Sequence, residues 1–185
     1  MKTAGIVFSS QGRFNCKTRR IKALQKNQDL SALPDSYLNS SNNEELCSEY
    51  VGSYLEQFKK IYPTRAQPFL LAKNEFGVEK FICSTIRPTL VQFTELYDMH
   101  ECAVFLAGYI MYEPLDPVTE APVYLPSPGQ VLKWHTGDCF DMATLLCSLL
   151  IGSGYDAYVV HGYAPRYIAL QVYACMFRYF SFCSC

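Results

Sequence analysis

One run constrains this chain more than any other: Gly137-Asp138-Cys139-Phe140-Asp141-Met142-Ala143-Thr144-Leu145-Leu146-Cys147-Ser148-Leu149-Leu150, followed by Gly154-Tyr155-Asp156-Ala157-Tyr158-Val159-Val160-His161-Gly162-Tyr163. Its apolar positions suit a helix buried in a core, entered through a tight turn at Gly137 and stopped at Gly154. A strand ending in Gly-Tyr should follow. Ala143, Leu146, Leu149 and Leu150 would anchor the helix, which leaves Cys139 at its first step. There the unpaired N–H groups and the helix dipole stabilise a thiolate and can supply part of an oxyanion hole. Asp138 and Asp141 act in the opposite sense, because nearby carboxylates raise a thiol pKa unless they are directed elsewhere. On spacing alone, a nucleophile and a buried core cysteine stand level.

A nucleophilic cysteine also needs a base, usually a histidine held by Asp or Asn. The chain has three histidines. His100 falls in a preceding helix and His135 only four residues before Cys139. His161 lies in the strand, facing opposite to Val160. It reaches the thiol only if that strand runs beside the helix start, and is otherwise a packed or surface strand histidine.

A length of 185 residues suits one domain, and a composition that is 50% hydrophobic and 15% aromatic permits a sizeable core. The net charge of -1 argues against nucleic acid as main partner. Nine cysteines, an odd number spread singly and with no secretory leader in view, fit a reducing cytoplasmic setting better than a disulfide scaffold. No CxxC occurs, and Cys183 and Cys185 have no accompanying set of zinc ligands. Neither a metal nor an organic cofactor is expected.

Residues 1–43 read as a basic, disordered leader, with the positive stretch at 13–26 a candidate for contact with acidic tubulin surfaces on charge alone. A helix should begin between Ser41 and Glu44, capped by Asn42 or Asn43 and ended by Pro63. Its apolar stripe is Leu46, Tyr50, Val51, Tyr54, Leu55, Phe58 and Ile61. Residues 69–71 and 80–85 read as strands around a turn at Asn74-Glu75-Phe76-Gly77. Residues 94–112 read as helix, and the proline-rich stretch 113–129 as an extended connection. The apolar tail approaches a spanning length, but Arg178 near its middle argues against a membrane segment.

The run from Gly137 to Tyr163 resembles the cysteine helix and following strand of the transglutaminase-like (papain-like) superfamily. That resemblance implies a partial α+β domain with Cys139 at the nucleophile-equivalent position, preceded by helices and a small hairpin. The family's catalytic His and Asp lie on strands further downstream. His161 is on the first strand, and residues 165–185 hold neither a histidine nor an acidic residue. The implied expectation is therefore a thiol-enzyme fold that is not an active enzyme.

A second resemblance spans residues 44–164. Tyr54-Leu55-Glu56-Gln57-Phe58, Tyr62-Pro63, Asn74-Glu75-Phe76-Gly77-Val78-Glu79-Lys80-Phe81, Thr85-Ile86-Arg87-Pro88-Thr89-Leu90, and Cys139-Phe140-Asp141 with Leu145 to Tyr158 resemble, in the same order, the lobo-homologue family. These are coiled-coil-containing components of the axonemal dynein regulatory complex, the nexin link. The resemblance implies a structural and regulatory role in ciliary and sperm flagellar motility, within the cytoskeleton of the axoneme. Partners would be other subunits of that complex, with doublet microtubules as a further candidate, and no nucleic acid or membrane. Family members are much longer, so residues 165–185 read as a divergent or truncated terminus, sticky around 172–177. The competing reading is a transglutaminase-like or peptidase-like thiol enzyme using Cys139.

Overall fold

Ser41 opens a helix through a reciprocal cap: the Glu44 N–H donates to the Ser41 hydroxyl and the Ser41 N–H to the Glu44 carboxylate. The cap is thus one residue ahead of Asn42, and the Ser-x-x-Glu pattern that marks it is visible in the sequence. In this computed structural model, which describes residues 20–22, 24, 26, 35–115, 120–163 and 170–176, the order is as follows. Helix α1 covers Asp35–Leu38 and α2 Asn42–Ile61, and strands β1 (Leu71–Lys73) and β2 (Glu79–Phe81) follow. Next come α3 (Ile82–Thr85), a 3-10 turn (Thr94–Tyr97), α4 (Met99–Tyr109) and β3 (Met111–Tyr112). Last are α5 (Pro128–Trp134), β4 (Thr136–Gly137), α6 (Cys139–Gly152), β5 (Ala157–Tyr163) and β6 (Leu170–Met176). The architecture is α+β.

The hairpin of β1 and β2 is antiparallel, with Ala72 opposite Lys80. Its turn is held by the Asn74 side-chain oxygen, which accepts from the Phe76 and Val78 N–H groups, while Gly77 takes a φ of 81° that other residues resist. The predicted second strand stops early. Ile82–Thr85 is helical because the Ser84 and Thr85 hydroxyls bond back to the carbonyls of Phe81 and Ile82, a local alternative to a ladder. The predicted helix over 94–112 is also broken. Asp98 accepts from the His100 and Glu101 N–H groups and starts α4 afresh. Within the proline-rich connection, Leu125 N–H donates to the Lys73 carbonyl, and Pro128 begins a helix that the sequence reading missed.

Helix α6 is the centre of the molecule. Nearly every residue from Cys139 to Leu150 is buried, the polar Asp141, Thr144 and Ser148 on one face included. Leu106 and Ile110 near and beyond the end of α4, Val131 of α5 and Ala157 of β5 join Leu145, Leu146, Leu149 and Leu150 in one cluster. Each buried leucine contributes about 1.5–3 kcal/mol. Phe140 and Ala143 join Ala72 and Leu125 in a second cluster.

The sequence reading treats residues 1–43 as a leader and 165–185 as a separate tail, and the described parts of both are docked. Ile21 is fully buried, and the Arg20 guanidinium donates to the Trp134 carbonyl and the Thr136 hydroxyl. Lys80 donates to the Asn39 carbonyl and the Ser40 hydroxyl, and the Asn74 amide to the Tyr37 carbonyl. Residues 170–176 form β6, antiparallel to β5 with His161 opposite Val172. The remaining residues of the leader and tail lie outside the described set. Conversely, α2 half-covers only part of its predicted stripe, Val51, Leu55 and Phe58, and leaves Leu46, Tyr50, Tyr54 and Ile61 exposed.

Candidate functional site

The start of α6 is built by the segments on either side of it. Helix α5 ends at His135, whose φ of 56° turns the chain, and β4 then pairs in parallel with β3. The Met111 and Glu113 N–H groups donate to the carbonyls of His135 and Gly137. Arg20 clamps the same turn from outside. Gly137 is required here, since a Cβ on it would lie 2.8 Å from the Asp141 Cβ.

Asp138 caps α6. Its carboxylate accepts from the N–H groups of Phe140 and Asp141, and the Asp141 carboxylate accepts from the Asp138 N–H. Both aspartates are buried. The sequence reading has Asp138 and Asp141 raising a thiol pKa unless they are directed elsewhere. The structure directs them to the backbone instead, a capping box whose Asp-x-x-Asp spacing is legible in the chain. Two of the free helix-start donors that would favour a thiolate or an oxyanion are thereby occupied.

Cys139 itself is 7% exposed and packs with Ala72, Leu125, Phe140 and Ala143. His161 packs against the start of α6: its ring lies 6.2 Å from that of Phe140 and 6.3 Å from that of Phe69. Burial lowers its pKa below the ordinary 6.5. His135 is engaged on the surface, its Nε2 3.0 Å from the Tyr109 hydroxyl. His100 is exposed on the first turn of α4. Burial pushes the Cys147 thiol up to about 11 and raises that of Cys102. Among the described residues, no three His, Cys, Asp or Glu side chains gather into a metal-binding group, and no helix is long and apolar enough to cross a membrane.

The family profile of the CEP76 peptidase-like domain matches residues 125–177, from the approach to α5 through β6. Dynein regulatory complex subunit 7 of Xenopus tropicalis is 44% identical to this chain over 136 residues, which are 74% of this chain and 16% of the relative. The Chlamydomonas reinhardtii protein of the same name is 44% identical over 133 residues, 72% of this chain and 12% of its own length. The coiled-coil domain-containing protein lobo of Drosophila melanogaster is 42% identical over 132 residues, 71% of this chain and 15% of the relative. Over 71–74% of its own length, the chain is therefore a homologue of the dynein regulatory complex subunit 7 and lobo proteins, spanning only 12–16% of theirs.

Proposed function

We propose that this chain is a structural docking element of the axonemal dynein regulatory complex, supporting ciliary and flagellar motility through contacts with other subunits. The observation that carries the reading is identity of 44% to dynein regulatory complex subunit 7 from organisms as distant as an alga and a frog, with 42% to the fly protein lobo beside it. The core from α5 to β6 is read as a transglutaminase-like, papain-like unit, with Cys139 at the position of the nucleophile in active relatives of the fold. The peptidase-like profile over residues 125–177 supports that assignment.

Turnover at Cys139 is not part of the proposal. The Phe140 and Asp141 N–H groups are bound by Asp138, and the thiol is packed among apolar side chains. A working thiol needs a lowered pKa and an open approach. Cys139 is read instead as core, inherited with the fold.

Co-sedimentation of the tagged chain with demembranated axonemes, before and after a salt wash, tests the docking. Retention through the wash is the expected result. Complete release into the soluble fraction, with the Cys139→Ser variant behaving alike, would remove the docking reading. Stoichiometric labelling of Cys139 at a pH well below the ordinary thiol range of about 8.5 would instead support the enzyme.

A further inference from the structure

Helix α2 carries two apolar stripes, and the body uses one. At 100° per residue, Val51, Leu55 and Phe58 share a face with Glu44 and Ser48, and all five are half-buried. Glu44 fixes that face through Lys80 and Arg87. Turned about a third of a circle away are Leu46, Tyr50, Tyr54 and Ile61, which are 53%, 76%, 49% and 65% exposed. Cys47 and Gln57 are exposed on the same side. An amphipathic helix ordinarily hides such a stripe.

The charges beside this outer stripe say what fits it. Glu49 lies along one flank near the acidic start and Lys60 along the same flank near the basic end. A second copy of the helix, laid antiparallel, places Leu46 against Ile61 of the other copy and the two Tyr54 side chains near the twofold axis. The same register sets Glu49 beside Lys60 of the other copy, twice by symmetry. Opposite charges across the rim fix register and orientation. We infer that the exposed stripe of α2 is a self-association surface, on which two copies of this chain pair antiparallel through Leu46, Tyr50, Tyr54 and Ile61.

The seam runs about 22 Å along the helix, which is short for a permanent interface. The pairing is therefore weak and reversible, and it stands independently of the axonemal role.

Sedimentation equilibrium of the full chain across the micromolar range tests it. The chain should pass from monomer to dimer with concentration. Lys60→Glu and Glu49→Lys, both exposed changes, should each weaken dimerisation roughly tenfold by replacing two attractive pairs with two repulsive ones. An equimolar mixture of these two variants should associate again, because opposite charges then face each other at both rim contacts of the mixed pair. That rescue also shows that both variants are folded. A chain monomeric throughout, single variants that dimerise as well as the parent, or a mixture that stays apart would each overturn the inference. A monomeric chain whose axonemal retention is lost on Tyr50→Glu would assign the face to another subunit's helix, which also overturns it.

Discussion

Replacing Gly152 with alanine should destabilise this protein, although it adds a better helix former. A Cβ on Gly152 would lie 2.2 Å from the Thr89 carbonyl oxygen, 2.7 Å from its carbon and 3.1 Å from its nitrogen. Ordinary contact begins at 3.4 Å, so the Thr89 backbone must retreat by more than 1 Å. That backbone is tied to α6: Thr89 N–H donates to the Ser148 carbonyl at 3.1 Å, and the two hydroxyls lie 2.7 Å apart. The Ser148 hydroxyl also donates to the Arg87 carbonyl. Overpacking costs about 1–3 kcal/mol, and each weakened hydrogen bond adds roughly 0.5–1.5 kcal/mol. The gain in helix propensity offsets at most about 1 kcal/mol. A net loss of about 2–3 kcal/mol, or roughly 5–10 °C in Tm, is expected for a chain of this size. Urea unfolding followed by circular dichroism measures it. Gly108→Ala in α4 provides the contrast, since a Cβ there meets nothing within 4 Å and the chain should gain about 0.5–1 kcal/mol. Equal stability of Gly152→Ala and the parent would refute the close approach of residue 89 to α6.

Asp138→Ala removes a buried cap and strands two helix-start N–H groups, so a loss of about 2–3 kcal/mol is expected by chemical denaturation. Asp138→Asn keeps a side-chain oxygen acceptor and should cost less than half of that. His161 is held below its ordinary pKa of 6.5 by burial, so its neutral form is favoured in the fold. Its contribution is therefore complete above about pH 6.5 and fades as pH falls from there through the folded value. His161→Phe keeps a ring against Phe69 and Phe140 and should flatten the loss of stability just below pH 6.5, read from urea midpoints. In native-state thiol labelling near pH 8, with mass spectrometry as readout, Cys47 should react first among the described cysteines, ahead of Cys83, whose pKa burial raises. Buried Cys102 and Cys147, both raised by burial, should wait for unfolding. Labelling of Cys147 at the rate of Cys47 would contradict the packing of α6.

Features governed by a few neighbouring residues were legible in the chain. The turn at residues 74–77, the end of α2 before Pro63, the burial of α6 and the strand after Gly154 follow from a side-chain cap, a missing N–H, a largely apolar run and a positive φ. The two capping boxes were equally local, and reading Ser41-x-x-Glu44 and Asp138-x-x-Asp141 as caps would have located both helix starts. Residues 82–85 show where local reading fails, because β-branched and hydroxyl side chains suit a strand or a tight helical turn about equally. Which of the two forms depends on what lies beside them.

Tertiary structure alone decided the rest. An apolar stripe states that a helix has something to hide, but not whether a partner surface exists; α2 finds cover for one stripe and none for the other. Ile21 sits in a polar, basic stretch that looks unable to fold, yet Arg20 meets Trp134 and Thr136 more than a hundred residues away, and burial follows. Cys139 has the same local sequence whether it is a nucleophile or a core residue. Its surroundings are set by Asp138, by Ala72 and Leu125 from distant segments, and by the strand carrying His161. Caps, turns and breaks are settled by energies within one turn of chain, whereas burial and a side chain's chemical environment arise from contacts that exist only once distant segments have met.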